Sequence, residues 1–213
     1  MRGLSLQVLG ISTVAVMLVA GHGIGPARAE AQAAFPLVQQ LRAGGYVLLM
    51  RHAHAPSARP TKEIAETDNL SLERQLDKQG KDSAQAMGEA IRTLHISLTP
   101  VLSSPTYRAL ETVRAAALGH PQTFEQLGDG GQSMMRGAVS GESNWLRNKV
   151  AEPPQRGSNT LIVTQMPNIQ SVFPQEAADL SDGEALVLHR DGKGSVTLVA
   201  KIRIEDWPRL AGQ

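Results

Sequence analysis

Three short stretches carry residue types that are costly to bury without a partner, and each follows an apolar run. The first reads Leu49-Met50-Arg51-His52-Ala53-His54. The second reads Leu102-Ser103-Ser104-Pro105 and continues through Tyr107 and Arg108. The third reads Val163-Thr164-Gln165-Met166-Pro167. Cationic or imidazole side chains at the ends of buried strands need an anionic or polar partner. The planar fork of Arg suits the oxygens of a phosphate group. A His with an ordinary pKa near 6.5 is a neutral nucleophile around physiological pH. Arg51, His52 and Arg108 are therefore read as one phosphate-gripping site, placed where ligands collect in open α/β sheets, outside the carboxyl ends of the strands.

The elements that must position these residues follow from periodicity. Phe35, Leu37, Val38 and Leu41 suggest a short amphipathic helix ending at Gly44-Gly45. Tyr46–Met50 is a continuous apolar run and predicts a buried strand. Residues 55–69 are rich in Pro, Thr and charge and read as a loop. Asp77 is an N-cap for a helix from Lys78 to Leu94, with Ala84, Met87, Ile91 and Leu94 on its apolar face. Val101-Leu102 predicts a short strand, and a second helix runs from Thr106 to Leu118, stopped by Gly119 and Pro121. The glycine-rich stretch 128–141 reads as a loop. Leu161–Thr164 is another buried strand, with Pro167 opening the next helical turn. Residues 184–189 and 195–204 form two strands joined by a turn at Asp191-Gly192-Lys193-Gly194. The order βα, βα, βα, ββ predicts an α/β fold: a three-layer αβα arrangement around a mixed, mostly parallel central sheet.

The segments LLMRHA, SSPTYRALETV and TLIVTQMPNI together resemble the histidine phosphatase superfamily, the group with phosphoglycerate mutases and phosphohistidine phosphatases. ERQLDKQG and its following helix are similar to the link between the first two motifs in small members. The resemblance spans about Tyr46 to Trp207. It implies a phosphoglycerate mutase-like fold and a phosphomonoester hydrolase in which His52 carries the phosphoryl group as a phosphohistidine. Arg51 and Arg108 would hold its oxygens and offset the developing charge. Glu111 belongs to the second motif and is carried over as a candidate catalytic residue, with a structural ion pair as the competing role. Glu125 and Glu142 lie in the region where some relatives carry the proton donor. One departure stands out: the third motif normally supplies a second His where this chain has Gln165. An amide still binds phosphate but carries no charge, and charge-assisted hydrogen bonds are roughly twice as strong as neutral ones. The sequence thus leaves two functions open, a phosphatase of weakened turnover and a catalytically degenerate protein that binds a phosphorylated ligand.

Several other chemistries are excluded or disfavoured. The chain has no Cys, which rules out disulfides and thiolate metal sites. His52-Ala53-His54 has the spacing of a metal pair, but no further ligand cluster accompanies it, so neither metal nor cofactor is called for. His54 reads as a residue at the pocket mouth; His95, His120 and His189 are lone histidines; Arg74 reads as a surface charge, with a reach to the site through the ERQLDKQG turn as the alternative; Trp145 and Trp207 read as packing anchors. No serine-hydrolase elbow, P-loop or zincin motif occurs. Residues 1–29 read as a signal peptide: Arg2, an apolar run from Val8 to Ala20 and the cleavage pattern Ala27-Arg28-Ala29. That leaves a single domain over 30–213, exported and periplasmic, with no membrane span after cleavage; the alternative is a segment kept uncleaved as a membrane anchor. Cleavage removes two Arg and no acid, taking the formal charge from +1 to −1. A nearly neutral domain with 3% aromatic residues has no electrostatic or stacking case for nucleic acid. The expected partner is a phosphorylated small molecule or envelope component.

Overall fold

The computed structural model describes residues 36–129 and 141–212. The expected signal segment and most of the expected loop 128–141 lie outside the described residues. The order begins with helix α1 (residues 36–43), strand β1 (Tyr46–Arg51), helix α2 (Lys78–Thr93), strand β2 (Leu98–Ser103) and helix α3 (Tyr107–Ala115). A two-residue strand β3 (Gln122–Thr123), a 3₁₀ turn (Glu125–Leu127) and helix α4 (Gly141–Val150) come next. Strand β4 (Asn159–Thr164), helix α5 (Met166–Val172), strands β5 (Ala185–Arg190) and β6 (Val196–Ile202) and helix α6 (Asp206–Leu210) complete it.

The strands form one sheet in the order β3-β2-β4-β1-β5-β6. β3, β2, β4 and β1 are mutually parallel, while β5 runs antiparallel to β1 and β6 antiparallel to β5. Successive strand residues face opposite ways, so each strand feeds two cores. Leu48 and Met50 of β1 join Leu41, Met87, Ile91, Val113 and Trp207 on one face. Val47 and Leu49 join Leu146, Val150 and Ile169 on the other. The sheet is therefore the middle of three layers, and β1 and β4 read as unbroken apolar runs because both their faces are covered. This is the αβα arrangement expected from the sequence.

Differences are local and have physical causes. β2 begins three residues before Val101, because Pro100 sits at an irregularity in the β2/β4 register between Leu98 and Val101, where a missing N–H is tolerated. α4 and α6 are not foreseen: α4 buries only Ser143, Leu146 and Val150, and α6 is five residues long. The β5/β6 hairpin is as expected, with Asp191 Oδ1 accepting from the backbone N–H of Lys193 (2.9 Å) and Ser195 (2.8 Å). Asp77 caps α2, its carboxylate accepting from Gly80 N at 2.9 Å. A Cβ at Gly80 would lie 2.1 Å from the His54 carbonyl oxygen, so glycine lets the first turn of α2 press against the backbone that follows His52. Among the described residues no helix is long and apolar enough to cross a membrane.

Candidate active site

β2, β4 and β1 are adjacent and parallel, so their carboxyl ends meet at one edge of the sheet. The ladder continues past the strands: His52 N donates to Thr164 O (3.0 Å) and Ser104 N to Val163 O (2.9 Å). These bonds fix the backbone of all three motifs relative to one another. Arg51, His52, Arg108 and Gln165 converge there on a cavity of about 280 Å³, lined also by Arg74, Asp129 and the first residues of α5.

His52 is 3% exposed. Its Nδ1–H donates to the Ala53 carbonyl at 2.7 Å, which fixes the tautomer and leaves the lone pair on Nε2. That lone pair accepts from Arg108 Nε at 3.1 Å. Burial, followed by the charges of Arg108, Arg51 and Arg74, pushes the imidazole pKa down to about 3 against the opposing hydrogen bond to Ala53. The ring is neutral at any physiological pH, and His52 lines the cavity.

Each flanking guanidinium is held. Arg51 donates through Nη1 to the Leu180 carbonyl (2.9 Å) and pairs through Nη2 with Asp182 (2.5 Å), while its buried Nε has no hydrogen-bond partner. Arg108, 6% exposed, donates through Nε to Gln165 Oε1 (3.0 Å) as well as to His52, and through Nη2 to Asp129 (3.0 Å). Gln165 faces the same cavity, but its amide nitrogen donates to Thr106 Oγ1 (2.8 Å) and Ser104 Oγ (3.1 Å).

One cavity residue takes the less favoured of its two sequence readings, and another escapes the sequence altogether. Arg74, expected at the surface, reaches the pocket because its Nε and Nη2 donate to the carbonyls of Pro56 (2.7 Å) and Ala55 (2.6 Å). Asp129 follows the 3₁₀ turn and lines both this cavity and an adjoining one of about 470 Å³. The only signal for it was a carboxylate two residues past Leu127, in the region where just Glu125 and Glu142 had been considered. Glu125 lines the adjoining cavity alone, and Glu142 is exposed in the first turn of α4.

Glu111 is not brought to the phosphate cavity. Its buried carboxylate accepts from Leu76 N at 2.6 Å and lies 3.3 Å from Lys81 Nζ; burial raises its pKa. That is the structural ion pair rather than a catalytic contact. His54 bridges Asp77 (2.9 Å) and Asp182 (4.0 Å) beside the site, and His189 packs on Tyr46. Among the described residues no group of three His, Cys, Asp or Glu is placed to hold a metal ion.

A neutral, tautomer-fixed His ringed by three arginines lies at the carboxyl edge of an αβα sheet, an arrangement whose charge and donors suit an anionic group such as a phosphoryl. The model of the histidine phosphatase superfamily (branch 1) matches residues 47–129, which hold Arg51, His52 and Arg108. Over those residues the chain resembles that superfamily. The match stops before Gln165. In structure the chain is similar to the protein histidine phosphatase SixA complexed with tungstate: 18% identity, 76% of this chain and 98% of that one, TM-score 0.52. It is similar also to Bacillus stearothermophilus YhfR, with 16% identity, 74% and 96% coverage and a TM-score of 0.51. A third is a mutant phosphoserine phosphatase from Entamoeba histolytica in complex with phosphoserine, with 12% identity, 75% and 98% coverage and a TM-score of 0.50. At these identities the likeness is one of fold. No curated protein sequence matches the chain.

Proposed function

We propose that the chain hydrolyses phosphomonoesters through a phosphohistidine at His52. The observation that carries this reading is a neutral His52, its proton held on Nδ1 and its lone pair on Nε2, lining a cavity walled by Arg51, Arg74 and Arg108. The arginines hold the non-bridging oxygens of the phosphoryl group. Nε2 forms the N–P bond as the bond from phosphorus to the leaving oxygen breaks. Asp129 lines both the phosphate cavity and the adjoining space for the leaving group; displaced from Arg108 by the phosphoryl oxygens, its carboxylate takes up a proton and delivers it to that leaving oxygen. Water then attacks phosphorus, its proton passes to the Asp129 carboxylate, and inorganic phosphate leaves with His52 regenerated. The exported location read from residues 1–29 belongs to the same proposal and places the substrate among phosphorylated small molecules or envelope components.

Gln165 weakens the turnover in this reading. Its amide hydrogens are already bonded to Ser104 and Thr106, so it offers the phosphoryl group no donor. The same observation favours a second reading, a phosphate-binding protein without turnover. One assay separates them: hydrolysis of an aryl phosphate by the wild type, His52→Ala and Gln165→His. The wild type should exceed the His52→Ala blank slowly. Gln165→His can accept from Arg108 through one ring nitrogen and donate to the phosphoryl group through the other. It should be faster by up to about 10²–10³, the usual worth of one transition-state donor. No hydrolysis by any variant, with phosphate still bound by the wild type, would establish the binding reading.

A further inference from the structure

The hydrogen bonds of Gln165 give it a task other than holding phosphate, one that rests on the phosphatase reading above. The side chain is 2% exposed. Its two amide hydrogens are taken by Thr106 Oγ1 at 2.8 Å and Ser104 Oγ at 3.1 Å, and Ser104 Oγ also lies 3.1 Å from Thr106 Oγ1. Turned over, the carboxamide would set an NH2 donor against the Arg108 Nε–H, which can only donate, so Arg108 fixes its orientation while Ser104 and Thr106 hold its two N–H groups in place. Oε1 is thereby aimed at Arg108 Nε, 3.0 Å away.

The Arg108 Nε–H has one other acceptor, His52 Nε2 at 3.1 Å. A single hydrogen is thus shared between the nucleophile and Gln165. Nδ1 of His52 carries its own hydrogen to Ala53, so Nε2 holds the only lone pair available for attack. The bond from Arg108 into that lone pair must break before an N–P bond can form, and a buried guanidinium N–H left without an acceptor is costly. We propose that Gln165 is a positioning residue: held by Ser104 and Thr106, its carbonyl oxygen takes over the Arg108 Nε–H and frees the His52 Nε2 lone pair for attack. A charged imidazole at position 165 could not do this, because it only donates.

The test compares wild type, Gln165→Met and Thr106→Val for aryl phosphate hydrolysis, inorganic phosphate affinity and the ¹⁵N resonances of His52. Gln165→Met, similar in length but without a strong acceptor, should lower kcat about tenfold, the worth of one hydrogen bond to a charged group. KM and the phosphate Kd should stay within about twofold, since the residue does not touch phosphate. Thr106→Val removes part of this hold but keeps the carboxamide, so its kcat should fall by a smaller factor. Adding phosphate should move the His52 Nε2 resonance downfield in the wild type, as the lone pair is released, and less in Gln165→Met. A rise in KM and phosphate Kd in Gln165→Met would make Gln165 a phosphate ligand and overturn the proposal, as would unchanged kcat. If the wild type does not exceed the His52→Ala blank, the phosphatase reading fails, and the ¹⁵N response to phosphate still decides whether Gln165 relieves His52.

Discussion

His52 is kept neutral by its surroundings, and that has a pH signature. Its pKa of about 3 in the folded chain lies below the ordinary 6.5, mainly through burial. The unfolded chain therefore takes up a proton below about pH 6.5 that the folded chain refuses. This contribution to stability is full above the ordinary pKa and lost progressively as pH falls from about 6.5 toward 3. Between pH 7 and pH 4 the wild type should lose on the order of a few kcal/mol more stability than His52→Asn. Tm measured against pH for the two proteins checks this; parallel curves would contradict it. The kcat/KM profile should show no acid limb from His52 between pH 5 and 8. Arg51 and His52 were legible in the sequence because they directly follow an apolar run, and Arg108 because it sits in the SSPTYR motif that follows another. Arg74 was legible only as the less favoured alternative and Asp129 not at all, since no periodicity governs their segments and hydrogen bonds to Ala55, Pro56 and Arg108 bring them in.

The connection between β1 and α2 is ordered by side chains rather than by secondary structure. Tyr107 N donates to Glu73 (3.1 Å), the Tyr107 hydroxyl to Asp68, and Leu76 N to Glu111 (2.6 Å). Arg114 pairs with Asp68 (2.8 Å), and Lys81 with Glu66 and Glu111. These contacts pin the segment that carries Arg74 against α3 and α2. Glu111→Ala leaves the buried Leu76 N–H unpaired and should cost about 1–3 kcal/mol. It should also raise KM for an aryl phosphate through Arg74 while leaving kcat within about threefold, a split that steady-state kinetics reads directly. Equal effects on kcat would place Glu111 in the chemistry instead. A strap of this kind cannot be read from composition, which marked residues 55–69 only as a loop. The motif spacing drew attention to Glu111 but not to the side on which it bonds. β1, β4 and α2 were legible because their apolar patterns are unbroken; α4 buries only Ser143, Leu146 and Val150 and shows almost no apolar stripe, and α6 is five residues long.

On the scale of the molecule, the sheet separates two cores, and the last helix closes one of them. Trp207 of α6 is 1% exposed and joins the cluster of α2, α3 and one face of the sheet. Trp207→Ala should cost about 3–5 kcal/mol, measurable as a shift in denaturant midpoint at unchanged slope. A shift under about 1 kcal/mol would mean that α6 is dispensable to that core. The layered architecture was legible because strands buried on both faces need helices on both sides. The antiparallel pair β5 and β6 was legible from its turn; the neighbours of each strand were not, since strand order follows from long-range pairing.

Arg51 and Arg108 each hold an aspartate, Asp182 and Asp129. The cavity therefore brings its own counterions. Where arginines are neutralised by dissolved salt, an incoming anion displaces that salt, and affinity drops as ionic strength rises. Here phosphate exchanges with carboxylates tethered to the chain, so no mobile ions need be released from these two arginines. The phosphate Kd should shift by less than about twofold over a roughly tenfold range of potassium chloride. Asp182→Asn should restore a steep salt dependence by returning the neutralisation of Arg51 to the solvent.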